Sequence, residues 1–198
     1  MSSSEFGNLV QVVQSCRACR QMTGVRKVLS TQNGSLRANV LFVAEAPGRL
    51  GADRTGIPLF GDRAGHNFGD LVCCSGLKRR QIFVTNAVLC NPRDQRGSNR
   101  RPTSDEIKNC SVHLRELVKI IKPRVIVSLG KTALFSLSLI EEHDIDLRRD
   151  VAKPIAWNGC TIFPLYHPSS RAMVHRNISQ QMTDYYRLQE QLRDHRIA

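Results

Sequence analysis

Four short, almost wholly apolar runs, separated by longer stretches of helical pattern, constrain this chain more than any other feature. Asn39–Ala44 (NVLFVA), Gln81–Val88 (QIFVTNAV), Arg124–Leu129 (RVIVSL) and Cys160–Leu165 (CTIFPL) have the length and composition of strands buried on both faces. Phe6–Cys19, Gly65–Gly76, Ser104–Ile121, Lys131–Glu142 and Asn177–Arg193 read as helices. The third of these opens on the cap-like Thr103-Ser104-Asp105-Glu106 and stops before Pro123. Strands that alternate with helices are joined by crossovers, which set the strands parallel and cover both faces of the sheet. The predicted fold is α/β: a three-layer α/β/α sandwich with a central, mainly parallel four-stranded sheet. A chain of 198 residues suits one such core, so residues 1–198 are read as a single domain.

Sheets of this kind carry their sites at the carboxyl ends of the strands. Glu45-Ala46-Pro47-Gly48 follows the first run, and Asn86 and Cys90 stand at or just past the end of the second. Ser128-Leu129-Gly130-Lys131 closes the third, and Tyr166-His167-Pro168-Ser169 follows the fourth. Two stretches read as loops: Pro47–Gly65, rich in glycine and charge, and Asn91–Pro102 (NPRDQRGSNRRP), with four arginines.

The formal net charge is +12. A field of that sign draws polyanions, nucleic acid first and acidic membrane surfaces second. No apolar run reaches membrane-spanning length. Met1–Gln14 lacks the basic start and apolar core of a signal peptide, so a cytoplasmic, bacterial-type location is expected. Seven cysteines in such a chain argue against a full disulfide framework. Cys16 and Cys19 form a C-x-x-C pair that brings two thiolates to one metal from a helical turn or knuckle. Cys90 and Cys110 either complete a four-thiolate set, for zinc or for a four-iron cluster that spacing does not separate, or are small buried residues. Cys73, Cys74 and Cys160 read as small buried residues.

Three carboxylates fall in or beside the first loop. Glu45 directly follows a strand, where a carboxylate orients or activates water. Asp53 and Asp62, taken alone, read more simply as solvated loop residues. His167, between an apolar strand and a proline, is placed to stabilise negative charge on a leaving group. Asn86 lies in an apolar strand; a buried amide needs partners and offers a donor and an acceptor to a planar ligand such as a base edge.

Taken together and in order, these pieces resemble the uracil-DNA glycosylase superfamily, most closely its iron–sulfur families 4 and 5. The resemblance runs from about Cys16 to Arg176. It rests on Cys16-Arg17-Ala18-Cys19, Ala44–Gly48, Thr85–Pro92, Pro102–Cys110 and His167-Pro168-Ser169. It implies an enzyme of base excision repair that flips uracil from DNA and hydrolyses its N-glycosidic bond, leaving an abasic site. It implies a structural [4Fe–4S] cluster on Cys16, Cys19, Cys90 and Cys110, bracing the arginine-rich loop. Glu45, Asp62 and His167 fall at catalytic positions. Ala46, Gly48, Asp53, Phe60 and Asn86 fall at substrate-binding positions, with Asn86 reading the uracil edge. Ser169, Ser170 and Arg171 fall in the Pro168–Arg176 segment that pushes into the duplex. The implied partner is uracil-containing DNA, single- or double-stranded, met by a monomer and not at a membrane.

The first motif is mixed. Glu45-Ala46-Pro47-Gly48 is similar to family 4, whereas Gly51–Gly56 and Gly61–Gly65 are similar to family 5, in which Asp62 matches the water-handling aspartate. Leu59 occupies the aligned place of the family's stacking phenylalanine, one residue before Phe60, and Arg171 stands where related enzymes often carry an apolar wedge. Two other readings stay open: a non-enzymatic nucleic-acid-binding protein with a metal or cluster knot, and a related glycosylase for other deaminated bases. A nucleotide-binding enzyme of another kind fits less well, since neither a G-x-G-x-x-G turn nor a Walker loop follows the first strand.

Overall fold

The structure, a computed structural model, describes residues 2–22 and 24–194. Among them, five strands form one sheet: β1 (Val40–Ala44), β2 (Ile82–Asn86), β3 (Val125–Leu129), β4 (Ile155–Trp157) and β5 (Cys160–Leu165), in the order β2-β1-β3-β5-β4. β2, β1, β3 and β5 are parallel. Every residue of β1, β2 and β3 is buried, as strands covered on both faces must be.

The helices are α1 (Ser2–Ser15), α2 (Ala52–Thr55), α3 (Arg63–Cys74), α4 (Ser104–Ile121), α5 (Lys131–Ser138), α6 (Leu147–Asp150), α7 (Ser170–Met173) and α8 (Ile178–Asp194). Alternate strand residues point to opposite faces. Leu41, Val43, Phe83, Ile126 and Ile162 join Phe6, Leu9 and Val13 of α1, Leu114 and Leu117 of α4 and Leu134 and Leu137 of α5. Val40, Phe42, Val84, Val127 and Phe163 join Phe68 and Leu71 of α3 and Tyr185, Leu188 and Leu192 of α8. The three layers expected from the sequence are thus present.

The expected four strands are joined by a fifth. β4 pairs antiparallel with β5 across Asn158-Gly159, whose φ angles are 44° and 73°. That is a tight hairpin turn of the kind Asn-Gly favours. β4 has only three residues, of which only Trp157 is buried, so it leaves no apolar run to read.

α4 has the expected bounds and a reciprocal cap: Thr103 Oγ1 accepts from Glu106 N, and the Glu106 carboxylate accepts from Thr103 N. Other bounds move for identifiable reasons. α1 ends at Ser15, with Cys16 N closing on Val13 O, so Cys16 to Cys19 lie in irregular backbone. α5 stops at Ser138, where the His143 ring takes the Leu134 carbonyl at 3.1 Å. The Pro47–Gly65 stretch holds the single turn of α2 and the start of α3. Cys73, expected to be buried, is exposed on α3, while Cys74 and Cys160 are half-buried.

Candidate active site

The strand order places the switch in winding direction at β1, with β2 on one side and β3 on the other. A crevice opens there, at the carboxyl ends, as the winding requires. It is a cleft of about 540 Å³ lined by Glu45 and Ala46 after β1, Asn86 of β2, Gly130 and Thr132 after β3, and His167 after β5. Residues far apart in the chain meet because each directly follows or ends a neighbouring strand.

Glu45 is held through both oxygens. Thr132 Oγ1 donates to Oε2 at 2.8 Å, and Arg171 Nη2 meets Oε1 at 3.3 Å. The Asp62 carboxylate also lines the cleft, but its Oδ1 caps α3 by accepting from Gly65 N at 2.9 Å. Its Oδ2 lies so close to Gly48 and Gly51 that a Cβ there would stand 3.0 and 2.3 Å away. The two glycines make room for this aspartate.

Asn86 is 3% exposed, and its Nδ2 has no hydrogen-bond partner among the described residues. Asn86 lines the cleft, and a buried amide donor without a partner is a cost that a ligand acceptor offsets. His167 is half-buried at the cleft floor. Enclosure by protein pushes its imidazole from 6.5 down to about 4, against the opposing pull of Glu45 and, to a smaller degree, Asp62. The ring is therefore neutral across the physiological range, and it lies nearer the influence of Glu45 than of Asp62.

Other expected residues fall in two groups. Ala46, Gly48, Ser169 and Arg171 line the cleft. Asp53 and Phe60 do not. Asp53 is buried and pairs with Arg93, which also donates to Asn91 Oδ1 at 2.8 Å; its carboxylate braces one loop against the other. Phe60 is 55% exposed on the surface, whereas Leu59 lines the cleft with φ of 50°. Ser170 is exposed at the start of α7.

The arginine-rich loop is ordered by partners the sequence did not reveal. Asn91 Nδ2 donates to Pro47 O at 2.5 Å and to Asn99 Oδ1 at 2.8 Å, and Arg49 N donates to the same Asn99 oxygen at 3.0 Å. Arg100 grips the buried Glu106 through both guanidinium Nη atoms and donates to Gln21 at 3.1 Å. Beside Arg100, the Glu106 carboxyl is held below the usual range. Asn67 of α3 donates to Pro168 O at 2.8 Å and fixes the start of the segment after β5. The lining carries Arg100, Arg101, Lys131, Arg148 and Arg171 against Glu45 and Asp62, so the cleft suits an anionic polymer. Thr132 and Asn91 were legible only as polar residues after a strand.

Cys16, Cys19, Cys90 and Cys110 are drawn to one region. Cys90 and Cys110 each feel the charge of Cys16 and Cys19, and burial pushes these two thiols up to about 11 and about 12. Leu89 N donates to Cys110 Sγ at 3.4 Å, and Asn109 Nδ2 to Cys19 Sγ at 3.6 Å. All four are free of disulfides. Soft sulfur donors with N–H groups aimed at them suit an iron–sulfur or zinc centre. Among the described residues, no group of three or more histidine, cysteine or acidic side chains has closed into a metal-holding arrangement.

The family model described as the Uracil DNA glycosylase superfamily matches residues 31–189. A Type-4 uracil-DNA glycosylase of Thermotoga maritima is 34% identical over 158 residues, 79% of this chain and 78% of that protein. A Type-4 enzyme of Sulfurisphaera tokodaii is 33% identical over 80% of this chain and 71% of its own length. A Type-5 uracil-DNA glycosylase of Pyrobaculum aerophilum is 30% identical over 69% and 63%. The family match takes in all of the strand ends that build the cleft, and on these grounds the chain belongs to the uracil-DNA glycosylase superfamily.

Proposed function

We propose that the chain is a monofunctional uracil-DNA glycosylase that works on DNA inside the cell as a monomer. The observation that carries this is the unpartnered Nδ2 of Asn86, a residue lining a cationic cleft that also holds Glu45 and His167. An amide donor at that place donates to the O4 carbonyl of uracil. Cytosine presents an amino donor there and leaves the amide unpaired, a loss of roughly 1–3 kcal/mol.

The target base must leave the helix to enter the cleft, at a cost of roughly a few kcal/mol that is lower in single strands and mismatches. Cleavage breaks the bond between uracil N1 and the sugar C1′, leaving negative charge on uracil and positive charge on the sugar. Neutral His167 donates a hydrogen bond to uracil O2 as that charge grows; a neutral donor is the form its environment enforces. Glu45 holds a water against C1′ and accepts a proton from it as the C–O bond forms. Asp62 Oδ1 caps α3, whereas Glu45 directly follows β1 and acts more strongly on His167 than Asp62 does, so we assign the water to Glu45 and the shaping of the cleft to Asp62. The basic side chains of the lining bind phosphates. Cys16, Cys19, Cys90 and Cys110 would hold a [4Fe–4S] cluster, which supplies a structural brace for the loop that carries Arg100 and Arg101.

The test is release of free uracil and formation of an abasic site from a uracil-containing oligonucleotide, single- and double-stranded. DNA binding with no base release favours the non-enzymatic reading, and release of hypoxanthine or xanthine in preference to uracil favours a different base.

A further inference from the structure

We propose that Thr132 is a positioning residue for Glu45, setting its carboxylate for the attacking water; the inference rests on the glycosylase reading above. The sheet order makes it central. β3 lies between β1 and β5, so the turn from β3 into α5 sits between the strand ends that carry Glu45 and His167.

That turn is rigid. Gly130 has φ of 95°, a conformation a side chain would strain, and its N–H donates to Leu165 O at 2.8 Å, tying the turn to β5. A Cβ on Gly130 would stand 3.8 Å from His167 Cβ, so the turn and the histidine are in direct neighbourhood. Two residues on, in the first turn of α5, the Thr132 hydroxyl donates to Glu45 Oε2 at 2.8 Å.

The two contacts on Glu45 differ in kind. Arg171 reaches Oε1 at 3.3 Å from a side chain that is 64% exposed, a pair that contributes little and that a DNA phosphate readily draws away. Thr132 is fixed by a strand, a glycine turn and a helix. Its hydroxyl occupies Oε2, so that once Arg171 is drawn to a phosphate, Oε1 is the oxygen left to accept from a water. Rotation of the Glu45 side chain would lose the charged hydrogen bond, so the orientation is set before substrate arrives.

The experiment compares the parent with Thr132→Val, Thr132→Ser, Glu45→Ala and the Thr132→Val/Glu45→Ala double variant. Single-turnover uracil release and affinity for uracil-containing DNA are measured for each. Thr132→Val, which keeps shape and loses the donor, is expected to release uracil about 10-fold more slowly, the size of one hydrogen bond to a charged group. Its affinity for the DNA should stay within about twofold of the parent, on the view that differential binding in the transition state is what is lost. Thr132→Ser should recover most of the rate, and Thr132→Val should slow the Glu45→Ala protein no further. Parent rate in Thr132→Val, a loss confined to DNA affinity, an equal further loss in the Glu45→Ala background, or parent rate in Glu45→Ala would each overturn the inference. The parent is assayed first: a parent that releases no uracil defeats the glycosylase reading itself, and is thereby told apart from failure of the Thr132 role.

Discussion

The Asp62 carboxylate lies against the backbone of Gly51, leaving no room for even one carbon between them: a Cβ on Gly51 would come within 2.3 Å of Oδ2 and 2.6 Å of Cγ. The aspartate is anchored on its other oxygen by Gly65 N. Gly51→Ala must therefore push Asp62 aside while leaving Glu45 and its Thr132 contact in place. With Glu45 as the water-handling group, Gly51→Ala and Asp62→Ala should each cost about 1 kcal/mol of stability, the worth of a helix cap, and slow release less than tenfold. Glu45→Ala should slow release by about 10²-fold or more. Single-turnover rates with melting curves decide it; an Asp62→Ala loss as deep as that of Glu45→Ala reverses the assignment.

In the glycosylase reading proposed above, Asn86 meets the edge of the base. Its Nδ2 is already unpaired in the free protein, so Asn86→Ala removes an unsatisfied group. Stability should change by less than about 1 kcal/mol, because that donor makes no hydrogen bond among the described residues. Uracil release should fall by about 10²-fold, the scale seen on removal of a preorganised donor. A rate equal to the parent's contradicts the recognition role.

His167 gives a pH signature. Its folded value of about 4 lies below the ordinary 6.5, so below pH 6.5 the unfolded chain takes up a proton that the folded chain refuses. The stability tied to the neutral ring is complete above pH 6.5 and is lost as pH falls toward 4. Allowing for partial exposure, the parent should lose on the order of 2 kcal/mol relative to His167→Gln across that window. Denaturant unfolding of both proteins at pH 7 and pH 4 measures it, and parallel curves would falsify the neutral buried ring. In the same picture, uracil release shows no inflection near 6.5.

The four cysteines predict a brown protein. Purified without oxidation it should absorb near about 400 nm, as thiolate-bound iron–sulfur centres do, with iron and sulfide in equal amounts. Cys90→Ser should bleach it and lower its melting temperature, and the freed Asn91–Pro102 loop should become the first site of proteolysis. Stoichiometric zinc in a colourless protein leaves the brace standing but changes its metal.

Much of this was readable from local pattern. The buried strands announced themselves because a strand covered on both faces has no polar alternation, and α4 because Thr103 and Glu106 cap it reciprocally. β4 escaped because three residues, of which only Trp157 is buried, are too few to carry a burial pattern; only the Asn158-Gly159 turn marked it. The site residues Glu45, Asn86 and His167 stood out for a topological reason: each occupies a strand's carboxyl end, and those ends converge in any sheet wound this way.

What the chain determined by itself was therefore the set of strands, the residues at their ends and the family they resemble. What only the tertiary structure decided was how those residues are held. Thr132 is 87 positions from Glu45 and becomes its partner because β3 is inserted between β1 and β5. Asp53 turned out to brace Arg93, and Leu59 faces the cleft in place of Phe60. Periodicity records which side of an element is buried, and motifs record which chemistry is present. Neither records which side chain meets which across the sheet, because that depends on strand order and on turns whose φ angles are set by the packing around them.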